Sequence, residues 1–260
     1  LFYRLNMIKL IYNTLMNTNE ISSSQLGQDL WVIDTMKYKK NGYFVDLGAL
    51  DGLTHSNTLM LENKYSWSGI CVEANPYVFP KLSSNRNCMC VNSLLDSTDN
   101  NYKEFHCADE LSFVENPNRA IQLEQLKMLL KQRNMEYHSV FLKTRSISKI
   151  LEIYNAPYVI DYLSIDIEGM EFDILKTFPF DEYHVNLITV EHNAPHIGDE
   201  YRLKIKELLE SNDFEFVKGN DDIHNWGHGP IEDFYKNKNI VVTDQEQGTT
   251  VKVVQYILDD

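Results

Sequence analysis

A carboxylate and two glycines follow one predicted strand, where they could hold a ligand. Tyr43–Leu47 is apolar apart from Asp46, and Gly48, Asp51 and Gly52 come directly after it. In an open α/β sheet, ligands bind beyond the carboxyl ends of the strands. Glycines at such a point let the backbone approach a ligand closely. The segment therefore predicts a nucleotide-type ligand at the end of the first strand.

The loop favours a methyl donor over a dinucleotide. A dinucleotide fingerprint reads Gly-x-Gly-x-x-Gly, whereas here the middle glycine is absent and Asp51 lies inside the loop. A carboxylate there would repel a pyrophosphate but could accept a hydrogen bond from an ammonium group. Glu73 ends the second predicted strand and can accept both hydroxyls of a ribose. Together these features favour S-adenosylmethionine.

A second group of acids follows two later strands, Tyr158–Asp166 and Val185–Glu191. The candidates for catalysis are Asp166, Glu168, Glu191 and His192. Methyl transfer to a hydroxyl needs the acceptor held in line and one base, and a histidine suits that role. Alternatively, Asp166 and Glu191 could bind a divalent metal such as Mg²⁺ that acidifies the hydroxyl.

Structural roles compete with these functional ones. Glu168 and Glu171 are also typical of a helix first turn, where the dipole favours acids. His192 could be a structural histidine beside its strand. Ile223–Gly229, which holds His224, Trp226 and His228, could be a substrate loop or a surface loop.

Strands and helices alternate along most of the chain, which predicts a parallel sheet with right-handed crossovers. The first helix is predicted from N-cap candidates Ser22–Ser24 to about Lys39. Its Gly27-Gln28-Asp29 is either a solvated first turn or a polar group delivered to the cleft. The further strands are predicted at Gly69–Glu73, Cys88–Asn92, Phe214–Val217 and Phe234–Tyr235.

The whole chain, 1–260, is predicted to form one domain. Within it, 94–145 is less regular and is interpreted as a lid-like insertion over the cleft, with a strand at Tyr102–Cys107, a helix at Gln122–Gln132 and a strand at Val140–Thr144. Residues 1–21 form an N-terminal helix or the stub of a membrane anchor, and 239–260 a C-terminal hairpin.

Composition narrows the partners and the compartment. The hydrophobic fraction of 43% allows a substantial core, and the net charge of −14 opposes binding to a phosphate backbone. The four cysteines form no Cys-x-x-Cys pair and are interpreted as buried free thiols, which favours a reducing compartment. The expected location is cytoplasmic, or membrane-associated if an anchor precedes the chain. The oligomeric state is not predicted.

Six motifs in order resemble the FkbM family of S-adenosylmethionine-dependent methyltransferases. They span about residues 24–193 and read Ser24–Asp29, Phe44–Gly52, Ser56–Thr58, Trp67–Pro76, Asp161–Glu171 and Ile188–Asn193. The resemblance implies a Rossmann-like class I methyltransferase sandwich: an α/β fold with a mostly parallel seven-stranded sheet, an antiparallel last strand and helices on both faces.

The resemblance also implies the site and the reaction. The predicted cofactor-binding residues are Asp46, Gly48, Ala49, Asp51, Gly52, Asn57, Glu73, Ala74, Asn75, Asn92 and Asp166. The family methylates varied acceptors, often sugar hydroxyls, so an O-methyltransferase acting on a sugar or glycan is expected. The alternatives are a catalytically inactive binding module of the same fold and, disfavoured by charge, a nucleic-acid methyltransferase.

Overall fold

Strands and helices alternate through a computed structural model that describes residues 22–108, 111–115, 123–134, 137–220, 230–242 and 254–255. The strands are β1 (Tyr43–Leu47), β2 (Ser68–Glu73), β3 (Met89–Asn92), β4 (Leu94–Leu95), β5 (Tyr102–Cys107), β6 (Phe113–Val114), β7 (His138–Arg145), β8 (Val159–Ile165), β9 (His184–Glu191), β10 (Phe214–Gly219), β11 (Glu232–Asn237) and β12 (Val254–Gln255). The helices are α1 (Gln28–Thr35), α2 (Leu59–Tyr65), α3 (Phe79–Asn85), α4 (Leu123–Gln132), α5 (Ile147–Ile153), α6 (Glu171–Lys176), α7 (Ala194–Ile197) and α8 (Asp199–Ser211).

The main sheet has the strand order β10-β11-β9-β8-β1-β2-β3-β12. Its paired strands are parallel except at β11, which runs antiparallel to both β9 and β10. The expected α/β sandwich with an antiparallel last strand is therefore confirmed. The two-residue β12 adds one parallel strand beyond the expected seven, because Val254 pairs with Cys90 at the edge.

Both faces of the sheet are covered by apolar side chains. All seven residues of β8 are buried, as expected of a central parallel strand with packing on each side. In β1, Val45 and Leu47 face one apolar layer, which includes Ile150 and Ile174. Phe44 faces the other layer with Trp31 and Leu61. This two-sided burial holds the strand ends, and the residues that follow them, in fixed positions.

The insertion forms a second sheet with the strand order β4-β7-β5-β6. A small apolar core of its own includes Phe113, Leu126 and Leu130. Asn75 Nδ2 donates to Ser112 Oγ at 2.9 Å, which ties the insertion to the loop after β2. The insertion thus packs beside the strand ends, while its role as a lid stays a prediction.

Helix α1, predicted from Ser22–Ser24 to about Lys39, is shorter than predicted. It begins at Gln28 rather than after the serines, and its N-cap Gly27 has no side-chain cap. The serines at 22–24 instead contact the carboxylate of Asp29. The helix ends at Thr35, and Lys37 then has a φ of 53° that continues no helix.

The two predicted terminal segments lie wholly or mostly outside the residues that the structure describes. Residues 1–21 lie outside them, as does most of the predicted hairpin at 239–260. Val254–Gln255 pairs with β3, and Ile240–Val242 forms no strand. Among the described helices, none has both the length and the apolar character needed to cross a membrane.

Replacing Lys39 by Met tests a buried ion pair under the sheet. Lys39 Nζ lies 2.8 Å from Asp161 Oδ1, and their side chains are 6% and 1% exposed. Asp161 also accepts from Tyr43 N at 2.9 Å. Without the lysine, a buried carboxylate loses its partner, so we expect the free energy of unfolding to fall by about 3 kcal/mol or more.

Urea denaturation measures that loss. The control is Lys40→Met, which removes an exposed ammonium group from the neighbouring position and should change the free energy of unfolding by less than about 0.5 kcal/mol. Equal effects of the two variants would contradict the buried-pair assignment.

Candidate active site

The carboxyl ends of β1, β2, β8 and β9 open onto a cavity of about 410 Å³. The structure places these predicted site residues in its lining: Asp46, Gly48, Ala49, Asn57, Glu73, Ala74, Asp166, Glu168 and Glu191. The insertion supplies an apolar wall that includes Leu94, Phe105 and Phe113. Four predicted residues of the cofactor site lie outside the lining, as does His192.

Gly48 allows the end of β1 to lie directly against the end of β8. Its φ is +90°, and a Cβ at this position would lie 1.8 Å from the carbonyl oxygen of Asp166. Only glycine allows this conformation and this approach together. Asp46, two residues earlier in β1, is buried and accepts from Thr58 Oγ1 at 2.6 Å. Burial raises the pKa of Asp46, although the Thr58 hydrogen bond and the Arg86 charge oppose the shift.

Asp51 and Gly52 take structural roles, in contrast to the prediction. The Asp51 carboxylate accepts from Leu53 N at 2.9 Å and from Thr54 N at 2.7 Å, so it closes its own turn. Partial burial raises the pKa of Asp51, but these backbone hydrogen bonds outweigh it and leave the pKa below its usual range. A Cβ on Gly52 would lie 2.6 Å from Arg86 Cγ. Other carboxylates, not Asp51, therefore make the cavity acidic.

Glu73 is held rigidly at the end of β2. Its Oε2 accepts from Leu50 N at 2.9 Å and its Oε1 from Asn75 N at 2.7 Å. Burial raises the pKa of Glu73 to about 7, and the backbone hydrogen bonds limit that rise. A carboxylate oxygen has two acceptor sites. One site on each oxygen is therefore available to a pair of ribose hydroxyls.

Asn75 and Asn92 support Glu73 from behind and do not reach the cavity. Asn92 Nδ2 donates to the Glu73 carbonyl at 2.8 Å, where it stabilises the strand end. Ser93 takes the cavity position that was predicted for Asn92. Its Oγ is buried and finds no partner among the described residues. The alternation of side chains along a strand is the signal that could have found Ser93.

Three carboxylates meet beyond β8 and β9. Oxygens of Asp166, Glu168 and Glu191 lie within 4.8 Å of one another, close enough to ligate one divalent cation. Burial raises the pKa of Glu191 well above its usual range, and the charges of Asp166 and Glu168 raise it further. Burial also raises the pKa of Asp166, while a hydrogen bond from Glu191 opposes that shift. Both carboxyl groups are therefore protonated more readily than free ones, Glu191 the more strongly.

Glu171 is buried under the same loop. Its Oε1 accepts from Ile167 N at 3.1 Å and from Gly169 N at 3.0 Å, and its Oε2 from Tyr201 Oη at 2.9 Å. Burial raises the pKa of Glu171 to about 7, against those hydrogen bonds. Its role is to shape the turn that carries Glu168, whose φ is 56°.

His192 faces away from the cavity, so the geometry does not support its predicted role as the base. It is 1% exposed and its Nδ1 accepts from Ala194 N at 3.1 Å. Its Nε2 lies 3.4 Å from Asp233 Oδ1, and Arg202 binds the same carboxylate at 2.7 and 2.8 Å. Adjacent strand residues point to opposite faces, and Glu191 already points into the cavity.

Asp29 anchors the chain segment before α1 against the site. It is fully buried and accepts hydrogen bonds of 2.6–3.3 Å from the three residues Ser22–Ser24. Ser23 Oγ also donates to Ser56 O at 3.0 Å. The segment therefore lies on the loop after β1, and its next residue, Gln25, lines the cavity. Neither predicted role of Asp29, solvated or cleft-facing, matches this position.

Two other cavity residues were missed by the sequence analysis. His55 is exposed to the cavity and has a φ of 54°. Leu50 lines the same cavity with a φ of 49°. Left-handed backbone at residues other than glycine is strained and is typical of functional loops. Histidine at a loop position carries no sequence signal of that strain, so only the structure identifies His55.

Glu232 lies buried behind the acidic cluster. Gln28 Nε2 donates to it, and Gln28 Oε1 accepts from Leu26 N at 2.8 Å, which fixes the amide orientation. Burial raises the pKa of Glu232 to about 8, and the charge of Asp166 raises it further. The predicted loop with His224, Trp226 and His228 lies outside the described residues.

A profile of the methyltransferase FkbM domain matches residues 46–216, about two-thirds of the chain. The chain belongs to the FkbM methyltransferase family. It is therefore an S-adenosylmethionine-dependent methyltransferase, and S-adenosylmethionine is its cofactor. The sequence resemblance to this family is confirmed. No curated protein matches the chain at a significant level.

Solved structures of other methyltransferases are similar at low sequence identity. The METTL16 methyltransferase domain has a TM-score of 0.46 and 10% identity, covering 83% of this chain and 68% of that one. A putative O-methyltransferase from Klebsiella pneumoniae has a TM-score of 0.44 and 8% identity, covering 91% and 90%. Aeropyrum pernix fibrillarin, solved with S-adenosylmethionine bound, has a TM-score of 0.43 and 12% identity, covering 82% and 74%. The strand order of the main sheet itself establishes the fold.

The cavity of this FkbM family member fits its cofactor. Ser93 Oγ and Asn57 Oδ1 both line the cavity and find no hydrogen-bond partner among the described residues. Buried polar atoms are usually paired, so these two atoms indicate a polar ligand. The apolar wall of the insertion suits the adenine base, and the carboxylates suit a ribose and a cation.

Gly48→Ala tests the turn on which the site depends. The new Cβ would collide with the Asp166 carbonyl, so we expect loss of S-adenosylhomocysteine binding and a fall in the free energy of unfolding of more than about 2 kcal/mol. Calorimetry and urea denaturation measure the two effects. Gly198→Ala is the matched control, because Gly198 has a φ of +93° with nothing within 4 Å of a Cβ. Similar losses in both variants would assign the effect to φ strain alone.

Glu232→Gln tests the buried glutamate through the pH dependence of stability. A folded-state pKa of about 8 exceeds the unfolded value, so the contribution of Glu232 is present at low pH and is lost as pH rises through the folded pKa. We expect the free energy of unfolding of the wild type to fall between about pH 5 and pH 9. The variant should show a shallower fall, most clearly between about pH 5 and pH 8, where folded wild-type protein holds the Glu232 proton and the unfolded chain has released it. An unchanged slope would contradict a protonated Glu232.

Proposed function

We propose that this enzyme is an O-methyltransferase that acts on a hydroxyl of a sugar or glycan. The supporting observation is that the Asp166 carboxylate lines the cavity, with an oxygen within 4.8 Å of one on Glu191. A hydroxyl needs such a base because it is a weak nucleophile at neutral pH. Family members often methylate sugar hydroxyls, and this cavity offers the polar groups that a polyol requires.

The bound cofactor supplies a methyl group on a sulfonium. The chain's own residues then have three tasks. Glu73 and the Gly48 turn hold the nucleoside, and the cavity walls exclude water. Asp166 accepts the hydroxyl proton of the acceptor. Most of the remaining rate enhancement comes from holding the acceptor oxygen in line.

Glu191 keeps Asp166 in a basic state. Oxygens of the two carboxylates lie within 4.8 Å of each other. Two carboxylates this close do not both ionise readily, because like charges in a partly desolvated site repel. Glu191 therefore binds the shared proton and donates a hydrogen bond to Asp166. Glu168 completes the cluster on the side of the turn after β8. A divalent ion held by the three carboxylates is the alternative way to acidify the hydroxyl.

A catalytically inactive module that only binds the cofactor is the second candidate. Its cofactor side would be identical to that of the enzyme. The two differ only at the acidic cluster, where an inactive module has no need of an ionised Asp166. Nucleic acid is a poor acceptor for this cavity, because five carboxylates line it and they repel a phosphate backbone.

Asp166→Asn separates binding from catalysis. We expect methyl transfer from labelled S-adenosylmethionine to sugar and glycan acceptors to fall by roughly 100-fold or more, because the base is removed. S-adenosylhomocysteine affinity, measured by calorimetry, should change much less. The control Asp34→Asn alters an exposed carboxylate on α1 and should leave both unchanged.

Two outcomes would contradict the proposal. If the Asp166→Asn variant transfers methyl groups at the wild-type rate, Asp166 is not the base. If wild-type protein binds S-adenosylhomocysteine but transfers no methyl to any hydroxylated acceptor, the inactive module is supported. Assays after EDTA treatment, with and without added Mg²⁺, distinguish a direct base from a metal-assisted one.

A further inference from the structure

The cavity has an unbalanced distribution of charge. Its described lining holds five carboxylates, Asp46, Glu73, Asp166, Glu168 and Glu191, and neither lysine nor arginine. The cofactor carries an ammonium and a sulfonium, which suit this acidic surface, but also one carboxylate, which does not. Burying that carboxylate among five others would be unfavourable without hydrogen-bond donors. Its position is therefore restricted to a wall that provides donors.

One wall of the cavity is formed by Gln25 and residues 54–57. Most of its polar side chains already make hydrogen bonds within the protein. Thr54 Oγ1 donates to Asp51 Oδ2 at 2.9 Å. Asn57 Nδ2 donates to Ser164 Oγ at 2.9 Å. Ser56 Oγ accepts from Leu59 N at 3.1 Å, under the loop. Thr54 and Asn57 thus donate within the protein, and the Ser56 hydroxyl accepts hydrogen bonds there.

Gln25 and His55 also belong to that wall, and each has a side-chain N–H that can donate to a carboxylate. No hydrogen bond joins either side chain to another residue in the described part of the chain, although both line the cavity. His55 is also the one lining side chain there that can become positively charged, and it lies near enough to Asp166 for their charges to interact.

Hydrogen bonds of the neighbouring residues hold Gln25 and His55 in position. Asp29 holds the serine segment directly before Gln25, and the Ser23 hydroxyl binds the Ser56 carbonyl directly after His55 at 3.0 Å. The two donors thus belong to one connected wall. Gln25 precedes residues 46–216, which the family profile matches, but it belongs to Ser24–Asp29, one of the motifs that resemble the family.

We propose that Gln25 and His55 bind the carboxylate of the methionine moiety, and that Asp46 faces its ammonium. The assignment rests on the cofactor site described above and adds the groups that orient the amino-acid end. Because both charged groups are attached to the same carbon, contacts with each of them fix the amino-acid end of the cofactor and thereby orient the sulfonium toward the acidic cluster. In this orientation the ammonium faces Asp46 and not Asp51, the residue that the sequence suggested for it.

Calorimetry with two ligands tests this assignment without any methyl acceptor. The ligands are S-adenosylhomocysteine and its decarboxylated analogue, 5′-S-(3-aminopropyl)-5′-thioadenosine. Wild-type protein should bind S-adenosylhomocysteine roughly tenfold or more tightly, because only that ligand makes charge-assisted hydrogen bonds to the wall. Gln25→Ala and His55→Ala should each reduce this preference several-fold, mainly by weakening S-adenosylhomocysteine.

Gln25→Glu gives a reversal that a general loss of folding cannot produce. The added negative charge should repel the carboxylate and attract the amine, so the variant should prefer the decarboxylated analogue. Phe105→Ala is the matched control on the apolar wall of the cavity. It should weaken both ligands by the same factor and leave their ratio unchanged.

The possible failures are distinguishable. If the preference for S-adenosylhomocysteine persists in all three Gln25 and His55 variants, this inference is wrong while the cofactor site stands. Equal binding of the two ligands by wild-type protein would also overturn it. If wild-type protein binds neither ligand, the cofactor site and the proposed function fail together.

Discussion

The close contact between the Gly48 turn and the backbone of Asp166 is the constraint on which the site depends. Asp166 N donates to Leu47 O at 3.0 Å, and a Cβ on Gly48 would lie 1.8 Å from the Asp166 carbonyl. The contact sets the loop that receives the cofactor directly beside the residue that receives a proton. Parallel pairing of β1 with β8 continues up to this point, so the rigid core of the sheet determines the distance between the two functions.

The acidic residues around the cavity divide into two groups according to their hydrogen bonds. Backbone N–H groups saturate Asp51 and Glu171, which therefore shape loops. Asp166 and Glu168 instead line the cavity, where a ligand can reach them. A buried carboxylate needs hydrogen bonds or a proton to offset its lost hydration. Loops that donate their N–H groups thus build the frame, and the carboxylates that they leave exposed are the candidates for chemistry.

Regular structure was largely predictable because its signals are local. Sequence patterns predicted β1 and, within the insertion, β5 with their observed bounds, and the ordered motifs predicted the family. Roles of individual polar residues were harder to predict. His192 and Asn92 both follow or end a strand as expected, yet each points away from the cavity while its neighbour points into it. One position along a strand reverses the side-chain direction, and sequence patterns rarely locate a strand end that accurately.

By itself, the sequence determined the strand–helix alternation, the glycine turn with its acids, the family and hence the cofactor. These follow from residue types at short spacing, which act through local geometry. Only the tertiary structure decided which acids face the cavity and that Gln25 and His55 join one wall. Those facts depend on hydrogen bonds between distant segments, such as Ser23 with Ser56. Such contacts form only after the sheet has brought the segments together, so no spacing along the chain encodes them.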